Sequence, residues 1–168
     1  MTIHFQKFGQ GAPLVMIHGL FGTSDNLKAI AKGLADNFTV YSIDAPGHGE
    51  SSSFSPLSLS AMAAAVFEFT REQGLERFSM LGHSLGGKIA MELALMNPNA
   101  VDRLLVADIA PVQYPRRHDT IIKALKAVPL QTLSGRKEAD TILSESINDS
   151  GVRGFLLKSL ATNPESKQ

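Results

Sequence analysis

The stretch FSMLGHSLGG, residues 78–87, decides how the chain is interpreted. An apolar run over 78–81 breaks into Gly-x-Ser-x-Gly at 82–86 and then into a helical pattern over 88–94. This is typical of a nucleophile elbow, in which a serine lies on a strained turn between a strand and a helix, flanked by glycines because side chains there would collide with neighbouring elements. The pattern predicts that Ser84 is a nucleophile. The helix N-terminus behind it would favour the anion that forms after attack.

Strands and helices are predicted to alternate on both sides of this motif. Short apolar or alternating runs indicate strands, and helical periodicity with capping residues indicates helices between them. The predicted strands are 3–8, 14–17, 38–43, 77–81 and 101–107. This order predicts an α/β fold with a mainly parallel sheet, helices on both faces and right-handed crossovers. Ligands bind such sheets beyond the carboxyl ends of the strands, where four residues should meet: His18, Asp44, Ser84 and Asp108.

The pattern changes after Pro111, because helices then follow one another without strands between them. Amphipathic helices are predicted over 120–128, 135–147 and 151–160. Such a helical segment is expected to act as a cap over the rim of the sheet. The predicted division is a core over 1–111, a cap over 112–162 and a loose tail over 163–168.

Composition narrows the classes of function. A chain of 168 residues fits one domain of about 100–200 residues, and 16 basic against 16 acidic side chains give no net charge. Nucleic acid and membranes are therefore not expected as partners. The chain has no cysteine, which excludes disulfides and thiolate metal sites, and we expect neither a metal nor a cofactor. With no apolar run of about 18 residues and no secretory signal at the start, a cytoplasmic protein is expected.

The loop after the second predicted strand, residues 18–22, is expected to help stabilise an oxyanion. In an elbow enzyme one donor is the N–H after the nucleophile and the other comes from this loop. We therefore predict the backbone N–H groups of Leu20 and Leu85 as the two donors. His18 is interpreted as a structural imidazole within the turn, and Phe21 and His83 are assigned to the substrate pocket.

The predicted acid of a catalytic triad is Asp108, which lies 24 residues after Ser84 at the end of the neighbouring strand. A turn-forming aspartate before Pro111 is the alternative. Asp44 also ends a strand, but an Asx-type hydrogen bond that organises the following turn explains it.

The base of the triad is harder to place, because this architecture has the chain order serine, acid, histidine. After Asp108 the chain contains one histidine, His118, at the start of the predicted cap. It is the candidate within this sequence for the general base, and a solvated cap residue is the alternative. His83 is adjacent to the nucleophile but is expected to point away from its hydroxyl. The sequence therefore supplies no firm candidate for the base.

Four motifs together resemble those of α/β-hydrolases, and more closely those of the small YbfF-type esterases. They are His18-Gly19-Leu20-Phe21-Gly22-Thr23, Asp44 with Gly47-His48-Gly49-Glu50-Ser51, Gly82-His83-Ser84-Leu85-Gly86-Gly87-Lys88 and Asp108-Ile109-Ala110-Pro111. The resemblance implies hydrolysis of short acyl esters or acyl-CoA thioesters. It also implies Ser84 as the nucleophile, Asp108 as the acid and the N–H groups of Leu20 and Leu85 as oxyanion donors.

The chain resembles only the amino-terminal two thirds of such an esterase, since the family continues with further strands and the loop that carries the catalytic histidine. The α/β-hydrolase fold would then be truncated, and we expect little or no activity from the chain alone. The alternatives are a non-catalytic module that binds an acyl group or a partner, and a truncation product without activity. An exposed edge at 101–107 would favour self-association or complementation.

Overall fold

Five strands form one sheet in the computed structural model, which describes residues 1–115 and 118–161. The strands are β1 (Phe5–Phe8), β2 (Ala12–Ile17), β3 (Phe38–Ile43), β4 (Phe78–His83) and β5 (Val101–Ala107). The helices of these ranges are α1 (Lys28–Leu34), α2 (Leu59–Glu72), α3 (Leu85–Met96), α4 (Asp119–Ala127), α5 (Arg136–Ser144) and α6 (Ser150–Leu156). Two short 3₁₀ turns, Ser24–Leu27 and Leu157–Ser159, precede α1 and follow α6.

The sheet has the order β1-β3-β2-β4-β5. β1 pairs with β3 in antiparallel orientation, and the other pairs are parallel. At the carboxyl end Ile17 lies opposite both Ile43 and Gly82, and His83 lies opposite Ala107. The residues that follow β2, β3, β4 and β5 therefore reach the same rim, as the sequence predicts.

Apolar side chains are buried on both faces of the central strands. One cluster contains Val15, Ile17, Ile43 and Met80 with the inward residues of α2 and α3, and the other contains Leu14, Met16 and Val40 with Leu27 and Ala31. Alternate residues of β2 thus belong to opposite clusters, as the two-residue period of a strand requires. The α/β class, with helices on both faces of a mainly parallel sheet, is confirmed.

β5 differs from the other parallel strands in burial. It forms an edge of the sheet within the described residues, and Leu104 and Leu105 are 39% and 59% exposed. The resemblance to a longer esterase predicts an exposed edge at 101–107, and β5 is the last strand in the order of the described sheet.

Two compact units divide the chain, Met1–Pro111 and Val112–Gln168. The second contains α4, α5 and α6, and Arg153 on α6 donates to Asp140 on α5 at 2.7 Å. Its role as a cap stays a prediction, and the predicted tail lies outside the described residues. None of the helices in 1–115 and 118–161 has the length and apolar character needed to cross a bilayer.

Candidate active site

Ser84 lies between β4 and α3 in a strained backbone conformation. Its φ of 51° and ψ of −112° put a non-glycine residue in a sparsely populated region. Such a conformation costs of order 1–3 kcal/mol and persists only where the surrounding structure imposes it. Its N–H donates to the Ala107 carbonyl at 2.9 Å, and its carbonyl accepts from the Lys88 N–H at 3.2 Å. The serine thus connects β4 to the first turn of α3, in the geometry of the predicted elbow.

The two glycines of the motif allow the backbone to pass close to its neighbours. A Cβ atom on Gly82 would lie 2.3 Å from the Gly86 carbonyl oxygen, and one on Gly86 would lie 2.2 Å from the Ile17 carbonyl oxygen. Both distances are far inside van der Waals contact with backbone atoms that have little room to move. The Gly-x-Ser-x-Gly spacing is therefore explained by close packing of β4, α3 and β2.

The loop after β2 lies directly beside the serine. A Cβ atom on Gly19 would be 3.3 Å from the Ser84 Cβ and 2.9 Å from the His83 Nδ1. The Gly22 N–H donates to the Gly19 carbonyl at 3.0 Å, which closes a turn with Phe21 at a φ of 64°. Left-handed φ is rare for a bulky residue, so the backbone at Phe21 is strained. The structure thus brings the predicted oxyanion loop to the nucleophile.

Asp108 is the next residue after β5, just as Ser84 is the next residue after β4. Because His83 and Ala107 are paired, the two candidates leave neighbouring strands side by side. Asp108 has a φ of 58°, and its side chain is 85% exposed. The His83 Nε2 lies 3.6 Å from the Asp108 Oδ2. The sequence did not predict this pairing, although both residues flank the two strand ends.

Asp44 has a structural environment. It is buried, and its carboxylate accepts from the N–H groups of Ser24 at 2.6 Å and Glu50 at 3.0 Å, and lies 3.0 Å from the His4 Nδ1. Burial alone would raise the pKa of Asp44, but the hydrogen bonds outweigh it and the pKa is lowered. The carboxylate thus holds the loop after β3, which supports the structural interpretation of this residue.

The histidines of the first unit are engaged in different ways. His18 is buried with both ring nitrogens in hydrogen bonds, and the His48 Nδ1 lies 3.2 Å from the Pro46 carbonyl. His118 belongs to the second unit, directly before α4. Among the residues that the structure describes, no three His, Asp or Glu side chains are grouped as ligands for a metal ion.

Comparison with known proteins gives consistent matches. Residues 12–142 match the family model described as the alpha/beta hydrolase fold. Esterase YbfF of Escherichia coli (strain K12) is 37% identical over 155 residues, which are 92% of this chain and 61% of that protein. The sn-1-specific diacylglycerol lipase ABHD11 of Mus musculus is 38% identical over 155 residues, which are 88% of this chain and 50% of that protein.

A solved structure described as a marine microorganism esterase superimposes with a TM-score of 0.94 at 40% identity, covering 97% of this chain and 65% of that one. The chain therefore spans about half to two thirds of the length of these relatives. The family resemblance inferred from the motifs is confirmed, and so is its closer likeness to YbfF-type esterases. The chain belongs to the alpha/beta hydrolase fold family.

Proposed function

We propose that this chain supplies the nucleophile, the acid and the oxyanion donors of a serine hydrolase for small acyl esters or acyl-CoA thioesters. The observation that carries the proposal is the approach of the loop after β2 to the elbow, with a Gly19 Cβ position 3.3 Å from the Ser84 Cβ. A strained serine at the N-terminus of α3, next to a glycine turn, is the arrangement that acyl transfer needs. Esterases and a lipase among the relatives support the same class.

In this proposal the Ser84 Oγ attacks the acyl carbon and its proton passes to an imidazole. The carbonyl oxygen becomes an oxyanion that accepts hydrogen bonds from the N–H groups of Leu20 and Leu85. Collapse of the tetrahedral intermediate breaks the bond to the alkoxide or thiolate, which takes the proton from the imidazolium. Water then repeats the sequence on the acyl-enzyme and releases the acid. Asp108 orients the imidazole and stabilises its cationic form.

Phe21 and His83 are proposed to line the acyl pocket, because both lie next to the elbow. Phe21 belongs to the turn beside Ser84, and the His83 side chain is 44% exposed next to Gly19. The preference for small acyl groups rests on the family resemblance. A cytoplasmic location and the absence of a cofactor also stay predictions.

Two histidines of the first unit are held in hydrogen bonds away from a role as the base. His18 has both nitrogens engaged, and His4 lies on Asp44 rather than at the elbow. We propose that the base is a histidine on a segment that longer esterases have and residues 1–168 do not contain, as the family resemblance implies. His118 is the alternative within residues 1–168.

Labelling with a fluorophosphonate tests the proposal, because the probe reacts with activated serines. We expect an adduct at Ser84 when the protein is expressed from its complete reading frame. Ser84→Ala should abolish it, and Ser79→Ala on the same strand should leave it unchanged. No adduct would contradict the proposed chemistry. An adduct on residues 1–168 alone would assign the base to this segment and favour His118.

The exposed edge of β5 supports a second candidate function, partner binding or self-association. Leu104 and Leu105 present apolar side chains on a strand whose outer edge is unpaired within the described sheet. Unprotected edges of this kind pair with other chains.

A non-catalytic module that binds an acyl group is a separate alternative to the enzyme. Binding of an acyl ligand without turnover, measured by calorimetry, would favour it.

A further inference from the structure

Ile109 is a half-buried apolar residue that directly follows the candidate acid and that the proposed chemistry does not use. It lies beyond the end of β5. A Cβ atom on Gly87 would be 2.6 Å from the Ile109 Cγ2 and 3.0 Å from the Val106 Cγ1. Side chains before and after Asp108 therefore pack on the first turn of α3, although the Asp108 side chain itself is exposed.

The backbone that enters Asp108 is fixed to the same turn by hydrogen bonds. β5 is paired with β4 up to Ala107, and the Ala107 carbonyl accepts from the Ser84 N–H at 2.9 Å. Ser84 is the residue directly before α3, and Gly87 is the third residue of that helix. The segment around the candidate acid is thus held on the candidate nucleophile from its amino-terminal side.

The backbone that leaves Asp108 is no longer part of the strand pairing, so its position depends on contacts such as that of Ile109. The Cγ2 atom is bonded directly to Cβ, and a β-branched side chain has a stiff χ1 angle. A contact at Cγ2 therefore restrains the backbone of Ile109 more closely than a contact at the end of a long side chain would. Gly87 permits the approach because it has no Cβ.

Asp108 depends on such support, because its own side chain contributes little packing. Its φ of 58° is a left-handed conformation that persists in a non-glycine residue only where the surroundings impose it. The side chain is 85% exposed. The contacts of Ala107 and Ile109 with the elbow lie on either side of this strained residue and can impose its conformation.

We propose that Ile109 is a positioning residue for Asp108, which sets the place of the acid relative to the nucleophile by packing on Gly87. This inference rests on the proposed function, because it takes Asp108 as the acid that orients the imidazole. An acid displaced from its place would slow proton transfer and leave the binding of substrate unchanged. The effect should therefore be on kcat and not on KM.

Two substitutions of Ile109 separate positioning from the filling of space. Ile109→Val loses only the terminal methyl group and keeps both γ carbons, so the contact with Gly87 is retained. Ile109→Leu keeps all four side-chain carbons but has no branch at Cβ, so that contact is lost. We expect Ile109→Leu to lower kcat for p-nitrophenyl acetate by about 100-fold, as misplacement by about 1 Å does, with KM unchanged. Ile109→Val should keep a kcat close to that of the wild type.

Val106→Ala is the matched control, since Val106 is also half-buried and also approaches Gly87. It lies before Ala107, where the pairing of β5 and the bond from Ser84 hold the backbone, so kcat should stay close to the wild-type value. The experiment uses the protein from its complete reading frame, with thermal unfolding of every variant.

Equal kcat values for Ile109→Leu and Ile109→Val would overturn the inference. So would a loss of kcat that follows the unfolding temperature across all variants, Val106→Ala included. Ile109→Ala, which lacks the branch and adds no bulk, should show the same fall in kcat and covers the case in which the leucine variant does not fold. A wild-type protein without activity, or Asp108→Asn with undiminished activity, would contradict the proposed function instead.

Discussion

Ser84 and Asp108 leave neighbouring parallel strands with nearly the same left-handed φ, 51° and 58°, but their surroundings differ. The serine lies on a turn where two glycines bring three backbone segments within contact. The aspartate side chain is 85% exposed at the end of an edge strand, with His83 at 3.6 Å. The part of the candidate site around Ser84 is closely packed, whereas the part around Asp108 is exposed to solvent.

Because of this difference, we expect the two parts of the site to respond differently to substitution. On the packed side, comprising the loops after β2, β3 and β4, added volume should be harmful because backbone atoms would have to move. On the open side, at the end of β5, a change in side-chain volume should have little effect on stability. A change in side-chain charge should affect the catalytic rate and leave stability nearly unchanged.

The largest effect is expected on the open side, from Asp108→Asn. If Asp108 orients the imidazole, the substitution should lower kcat by about 10⁴-fold, the size measured for the corresponding change in a serine protease. The exposed side chain predicts a change in unfolding free energy of less than ~0.5 kcal/mol. Steady-state kinetics on the protein from its complete reading frame, with urea unfolding, measures both. Asp102→Asn, also on β5, is the control and should leave kcat unchanged.

On the packed side, Gly86→Ala should lower the unfolding free energy by about 3 kcal/mol, because its Cβ would lie 2.2 Å from the Ile17 carbonyl oxygen. Gly33→Ala in α1 is a matched control, since a Cβ there meets nothing within 4 Å. It should raise stability by about 0.5–1 kcal/mol through helix propensity. Chemical denaturation of both variants measures these changes in unfolding free energy. Equal effects would mean that the elbow is not closely packed.

Asp44→Asn tests whether the loop after β3 depends on charge as well as packing. We expect a loss of about 2 kcal/mol at pH 7, because an amide replaces an ionised acceptor of the Ser24 and Glu50 N–H groups. Folding lowers the pKa of Asp44, so its contribution is present above the unfolded value of about 3.9 and is lost as pH falls through the lower folded value. Urea unfolding at pH 7 and pH 3 should show the difference between variant and wild type shrinking in acid. A constant difference would contradict this assignment.

The smallest effect on stability is expected from Leu105→Lys on β5. Leu105 is 59% exposed, so the unfolding free energy should change by less than ~0.5 kcal/mol. If the edge self-associates, an added charge should weaken that association, as lysines do on natural edges. Light scattering over a range of concentrations measures it. Leu95→Lys, at an 80% exposed position near the end of α3, is the control. A monodisperse wild-type monomer would contradict self-association.

Much of the fold could be predicted because local signals agree with it. The apolar runs of β2, β3 and β4 fit strands buried on both faces. Ser58 is the N-cap of α2, and its side chain accepts a hydrogen bond from the Ala61 N–H. The elbow followed from the spacing of its glycines. These features depend on residues close together in the chain, which is why the sequence shows them.

The remaining features depend on contacts distant in sequence. The His18 ring accepts from the Ala45 N–H, 27 residues away, and the closeness of His83 to Asp108 depends on the register of β4 and β5. The left-handed φ of Phe21 was also not predictable, because its neighbour Gly22 is the residue that the pattern would favour there. The exposed edge at β5 was expected only through the resemblance to longer esterases, because an apolar run by itself does not show which strands flank it.

The bond from the Ser84 N–H to the Ala107 carbonyl makes the amide proton of the candidate nucleophile a probe of the edge strand. Exchange of that proton with solvent requires the end of β5 to separate from the elbow, whereas the Gly86 amide, bonded to His18, is released by a different opening. Comparing the exchange rates of these two amides would measure, without substitution or substrate, how often the end of β5 detaches while the elbow stays folded.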